Sequence, residues 1–233
     1  MPDQIGFGKS SKPAHYQFSF EALANNTKAL LKSEGIEQVI VMGHSMGGML
    51  ATRYALNHSS SVEKLVLVNP VGLEDYLRYV EYKDPAFFYE NEKGKTIDQI
   101  RAYQRKNYYD GKWSEDYEEL IEIHVGWING DDWNQVAWNN ALTYDMIFTG
   151  NVSNEFDQLV VPTHLILGTR DTTGPGRGWK KEGVNYELGR YDKLGEIVVE
   201  QIPDGYLYEL EGIGHMPQFE AFDRYREQLD KIF

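Results

Sequence analysis

The sequence predicts an α/β domain, a mostly parallel sheet flanked by helices and interrupted by an inserted helical segment. Three observations predict it. The 233 residues suit one α/β domain. A β-α-β unit of the right length for parallel pairing lies between residues 39 and 68. Strand and helix signals return in the last third of the chain, after a long stretch with mostly helical periodicity.

In order, Phe20, Leu23, Ala24, Thr27, Leu30 and Leu31 recur at helical spacing, with Ser19 as N-cap and Gly35 as the stop. The β-branched run Val39-Ile40-Val41-Met42 ends at Gly43 and reads as a buried strand. A small-residue stretch to about Asn57 reads as a helix, and Leu65-Val66-Leu67-Val68 as the second strand. From 71 to 157 the chain is rich in Tyr and Trp, with helical periodicity at Ile97, Ile100 and Tyr103. The same spacing recurs at Tyr117, Leu120, Ile121 and His124 behind Ser114. The expected reading is a helical lid over an apolar cavity, with 1–70 and 158–233 as the two parts of the core; an ordinary run of core helices is the alternative, against which the aromatic density counts. Strands return at His164-Leu165-Ile166-Leu167 and at 205–210. A final helix carries Phe222, Tyr225, Leu229 and Ile232 on one face.

Composition narrows the function. A formal net charge of -13 opposes binding to nucleic acid or to anionic membrane surfaces. With no cysteine there is no disulfide, thiolate metal site or cysteine nucleophile. The six histidines form no H-x-x-x-H pair, so no metal is expected. No apolar run approaches the roughly 20 residues of a membrane span. Gly8-Lys9-Ser10 superficially resembles the end of a phosphate loop, but Asp3 stands where that motif needs its first glycine, and no strand leads in. The N-x-[ST] matches at Asn25, Asn57 and Asn151 read as chance.

Gly43-His44-Ser45-Met46-Gly47 fits G-x-S-x-G between a strand and a helix. That context exposes a serine hydroxyl on a strained turn, with the N–H of Met46 at the helix start facing a developing oxyanion. A serine needs a base, and the base an orienting carboxylate. Leu165–Leu167 runs into Gly168-Thr169-Arg170-Asp171, and the next strand into Glu211-Gly212-Ile213-Gly214-His215. In a parallel sheet the carboxyl ends share one edge, so Ser45, Asp171 and His215 can converge there. Asp157, Glu74 and Asp75 are alternative carboxylates. The Gly-rich stretch from Thr172 to Gly178 receives no role.

The segments GHSMGG, KLVLVNP, LILGTRD and GIGHMPQFE, in this order, resemble the α/β-hydrolase superfamily with a helical cap. The resemblance covers nearly the whole chain and implies the α/β-hydrolase fold. It makes Ser45 the nucleophile, His215 the base, Asp171 the acid and Met46 a backbone oxyanion donor, with His44 a packing residue and no cofactor. A serine nucleophile points to cleavage of an ester, lactone, amide or carbon–carbon bond in a small, largely apolar acyl substrate. A ligand-binding or sensor protein on the same fold is the alternative. Pro2-Asp3, Gly6, Gly8 and Ser10 resemble a loop that follows the fourth strand in this family. The expectation is therefore a chain that starts inside its own fold. It would lack the early strands and the loop bearing the second oxyanion donor, whether as a fragment, the favoured reading, or as a shortened relative. Such a start leaves the compartment open, as it leaves oligomeric state and activity in isolation.

Overall fold

Leu65-Val66-Leu67-Val68 and Leu165-Ile166-Leu167 are all at most 1% exposed, and they form the two inner strands of the sheet. The computed structural model describes residues 2–233. Its strands β1 (Val39–His44), β2 (Val62–Val68), β3 (Thr163–Gly168) and β4 (Gly205–Leu210) pair in that order, parallel throughout. Alternation along the inner strands divides the core. Leu65, Leu67, Leu165 and Leu167 face one cluster, and Val66, Val68 and Ile166 face another with Leu210, Tyr225 and Ile232. Each such side chain contributes about 1.5–3 kcal/mol when fully buried.

β1 and β4 differ from the buried strands expected. Both are edges, so Ile40 and Met42 on β1 and Tyr206 on β4 are exposed. Strand order decides this, and no local run of residues encodes it.

The helices around the sheet follow their capping residues. Helix α1 (Phe20–Ser33) starts on Ser19, whose hydroxyl accepts the Ala22 N–H at 3.1 Å. It closes with Ile36 N–H on Leu31 O at 2.9 Å and Gly35 N–H on Lys32 O at 3.1 Å, a Schellman ending. Helix α2 (Met46–Asn57) joins β1 to β2. Four helices separate β2 from β3: α3 (Pro85–Lys93), α4 (Ile97–Asn107), α5 (Glu118–Ile128) and α6 (Trp133–Thr149). Phe88 of α3 and Ala141, Met146 and Phe148 of α6 join the same cluster as Leu65 and Leu67, so this pair is continuous with the sheet's core. By contrast, α4 buries only Gln104 and α5 only Ile121.

Helix α7 (Tyr191–Val199), which carries no side-chain cap and has Gly195 at its middle, makes the β3-to-β4 crossover. Its apolar face was not singled out in the sequence. Short helix α8 (Pro217–Glu220) and α9 (Phe222–Ile232) end the described chain. No helix among the described residues is long and apolar enough to cross a membrane.

The opening loop folds around its own acid. Asp3 Oδ2 accepts the Lys9 N–H at 2.8 Å, the Ser10 hydroxyl donates to Asp3 O at 2.7 Å, and Asn139 ties the loop to α6 through Gly6 O at 2.8 Å. A carboxylate already answers the backbone amide that a phosphate loop would turn toward its ligand.

Candidate active site

Parallel pairing sets the C-terminal ends of the strands side by side: His44 is opposite Val68, Val68 opposite Ile166, and Gly168 opposite Leu210. The residues just beyond them therefore meet. Ser45 follows β1 with φ 55° and ψ -126°, a backbone conformation rare for any residue with a side chain. Three backbone bonds hold it. Its N–H donates to Val68 O at 3.2 Å, while its carbonyl accepts from Gly48 at 2.9 Å and Val71 at 3.1 Å.

The reversal into α2 presses β1 against the helix start, and a Cβ at Gly43 would sit 2.1 Å from Gly47 O. Gly43→Ala is therefore expected to destabilise the fold by about 2–3 kcal/mol, since backbone must move to admit the methyl. A urea midpoint equal to that of the wild type would contradict this. At the start of α2, Gly48 lies close against Pro70, where a Cβ would sit 2.4 Å from the Pro70 Cβ, while a Cβ at Gly47 would meet nothing within 4 Å.

At β3 the chain turns at Gly168, where a Cβ would lie 2.4 Å from Ile213 O and 2.5 Å from Gly214 O. Absence of a side chain there lets the loops after β3 and β4 touch. Asp171 and His215, both 1% exposed, come together between them. His215 Nδ1 is 2.6 Å from Asp171 Oδ2, and His215 Nε2 is 2.9 Å from Ser45 Oγ. The hydrogen-bond network assigns the tautomer: with Asp171 ionised, Nδ1–H donates to it and Nε2 is left to accept from the serine.

Asp171 takes two further donors, Asn69 Nδ2 on Oδ2 at 2.8 Å and Thr173 N–H on Oδ1 at 2.8 Å. Burial alone would raise its pKa, but His215 and the Thr173 hydrogen bonds outweigh burial and hold it below the ordinary carboxylate value. The alternative carboxylates lie elsewhere. Glu74 Oε2 accepts the Gly189 N–H at 2.9 Å, Asp75 begins a short 3-10 turn, and Asp157 is exposed.

Several residues of this network carried no role in the sequence. Asn69, at φ 38° just after β2, bridges Gly168 N–H and Asp171. The Thr173 hydroxyl is 3.1 Å from His215 Nδ1. Arg170 donates to Gly212 O at 2.9 Å and pairs with Glu220, which accepts the Gly214 N–H at 2.7 Å and so clamps the His215 loop. An Asn directly after a buried strand was the available signal for the first; the others become visible only when two loops meet.

His44 does more than pack. Its Nε2–H donates to the His215 carbonyl at 2.8 Å, and burial, followed by the charge of His215, pushes its pKa down to about 4. A histidine depressed in the folded state binds its proton in the unfolded chain first. Its stabilising contribution is thus complete above about pH 6.5 and is lost as pH falls toward 4. Lowered values at His58, His124 and His164 act in the same direction. His44→Gln keeps the donor without the titration and is expected to flatten part of the decline between pH 6.5 and 4, read as urea midpoints. Profiles with the same slope would contradict the assignment.

A cavity of about 280 Å³ opens on Ser45, lined by Val71, Ile147, the rings of Tyr103, Tyr108 and Tyr144, and the stretch from Thr172 to Trp179. It adjoins a second of about 760 Å³ that shares the three tyrosines and Trp179 and extends under α3, α4 and α5. Among the residues that line the smaller one, Met46 is absent, yet its N–H is in the first turn of α2 and has no intrahelical acceptor.

The fold is shared with known proteins. The solved structure of a probable hydrolytic enzyme from Pseudomonas aeruginosa PAO1 is 44% identical, with a TM-score of 0.94 over 98% of this chain and 74% of that one. Lipase 1 of Psychrobacter immobilis is 24% identical over 96% of this chain, which spans 64% of that protein's length. A 2-hydroxymuconate semialdehyde hydrolase of Pseudomonas putida is 38% identical over 72 residues, 31% of this chain and 26% of that protein. The family model described as alpha/beta hydrolase fold matches residues 1–222. With a parallel sheet, a Ser45-His215-Asp171 contact at its C-terminal edge and that match across nearly the whole length, the chain belongs to the α/β-hydrolase family.

Proposed function

We propose that this protein is a serine hydrolase working by acyl transfer on a small, largely apolar acyl substrate. The observation that carries the reading is the relay from Ser45 Oγ through His215 to Asp171, at 2.9 Å and 2.6 Å. Ser45 Oγ attacks the substrate carbonyl carbon as His215 Nε2 takes its proton, and Asp171 steadies the imidazolium. The oxyanion is met by the Met46 N–H at the positive end of α2. His215 returns the proton to the leaving group, the carbonyl–leaving-group bond breaks, and an acyl-enzyme is left at Ser45. Water, deprotonated by the same nitrogen, then releases the acid.

The bond cleaved is that of an ester, lactone, amide or activated carbon–carbon compound, and the step calls on no cofactor. The segment 71–157 acts as the lid, its Tyr103, Tyr108 and Tyr144 covering the cavity at Ser45. Reaction with a fluorophosphonate tests this. One stoichiometric adduct by intact mass, absent from Ser45→Ala, is expected; no adduct, or one that persists in the variant, would overturn it. An adduct without turnover of any ester would favour ligand binding on this fold.

A further inference from the structure

In a chain of net charge -13, the cavity at Ser45 contains no acid. Among the described residues that line it, Arg177 is the only charged one. Its surroundings leave it unanswered. Arg53, Arg101, Arg170 and Arg190 each hold a carboxylate, whereas Arg177 has neither an ion pair nor a side-chain hydrogen bond among the described residues. Two residues on, the indole Nε1–H of Trp179 is shielded from water and also meets no acceptor.

The charge bears on the cavity itself. Burial raises the hydroxyl pKa of Tyr103 and of Tyr144, and the charge of Arg177, which lines the same cavity, draws both partway back. Glu74, a buried acid, also feels Arg177, but it lies beyond ion-pair distance and accepts the Gly189 N–H. The mount is firm. Val80 and Lys180 form a β-bridge, Glu81 N–H donates to Trp179 O at 3.0 Å, and Lys181 N–H donates to Tyr79 O at 2.9 Å. A single exposed and unpaired cation lining an acid-free cavity next to a nucleophile suits one class of ligand.

We infer that Arg177 is a specificity determinant that binds a carboxylate on the substrate, so that the preferred substrate is an acyl compound bearing one carboxylate a few carbons from the scissile carbonyl. This rests on the serine-hydrolase reading for its catalytic consequence, though not for binding. The chain's overall negative charge is no obstacle, because its distant charges are screened over about 8 Å at physiological salt while a ligand at Arg177 is in direct contact. A guanidinium fork fits a carboxylate with two parallel bonds, which an ammonium cannot reproduce.

Mono-4-nitrophenyl glutarate and its methyl ester, of the same length but uncharged, provide the test. The wild type is expected to hydrolyse the anionic ester with kcat/KM about 10- to 100-fold higher, chiefly through KM. In Arg177→Gln the ratio is expected near one, and in Arg177→Lys partly restored. A wild-type ratio near one, or a ratio that survives Arg177→Gln, would overturn the assignment. Glutarate binding followed by tryptophan fluorescence keeps it testable without turnover: binding lost in Arg177→Gln supports it, and no binding to the wild type refutes it. If fluorophosphonate fails to label Ser45 while glutarate binding still depends on Arg177, the hydrolase reading falls and this one stands.

Discussion

Ser45→Ala is expected to lower ester hydrolysis by about 10⁶-fold, to the background that binding and oxyanion donors alone sustain. No neighbouring hydroxyl can substitute. The Thr173 hydroxyl lies against His215 Nδ1, the nitrogen that faces Asp171, and not against Nε2, the one that accepts the attacking proton. The fold is expected to survive the change. The Ser45 side chain makes no capping bond to α2, and its backbone bonds to Val68, Gly48 and Val71 do not involve the hydroxyl. Steady-state rates together with a thermal melt separate the two effects. Residual activity within about 100-fold of wild type, on an unchanged melt, would remove Ser45 from the mechanism.

Asp171→Asn is expected to cost about 10⁴-fold in kcat with little change in KM. Three donors converge on this carboxylate: Thr173 N–H on one oxygen, Asn69 Nδ2 and His215 Nδ1 on the other. An amide can present only one oxygen. If its NH₂ faces Thr173, two donors collide in a buried space; if it faces His215, the ring must carry its proton on Nε2 and can no longer accept from Ser45. The wild-type carboxylate, depressed below its ordinary value, adds stability that is whole above about pH 3.9 and disappears as pH falls through the folded value. A loss in kcat below about tenfold would indicate that another group orients His215.

The loops that carry Ser45 and Asp171 were legible because each is announced locally by a short aliphatic run followed by a glycine, and the His215 loop by a Tyr- and Leu-rich strand followed by Gly212 and Gly214. What escaped depends on meetings between distant segments. β1 and β4 read as buried strands, yet they are edges because of strand order. Helix α7 hides its apolar face behind a central glycine that packs on Leu167 and Leu207. Asn69, Arg170 and Glu220 gain their positions only when the loops after β2, β3 and β4 are pressed together. Thr172 to Gly178, a Gly-rich loop whose sequence fits either a pocket border or a plain turn and so received no role, forms one wall of the cavity at Ser45.

The left-handed backbone at Ser45 sets folding and chemistry in opposition at a single residue. A conformation of this kind costs on the order of 1–3 kcal/mol, and surrounding packing must supply it. Glycine would relax the turn and remove the nucleophile together. Any substitution that eases the backbone at this position therefore gains fold stability only by giving up the presentation of the hydroxyl.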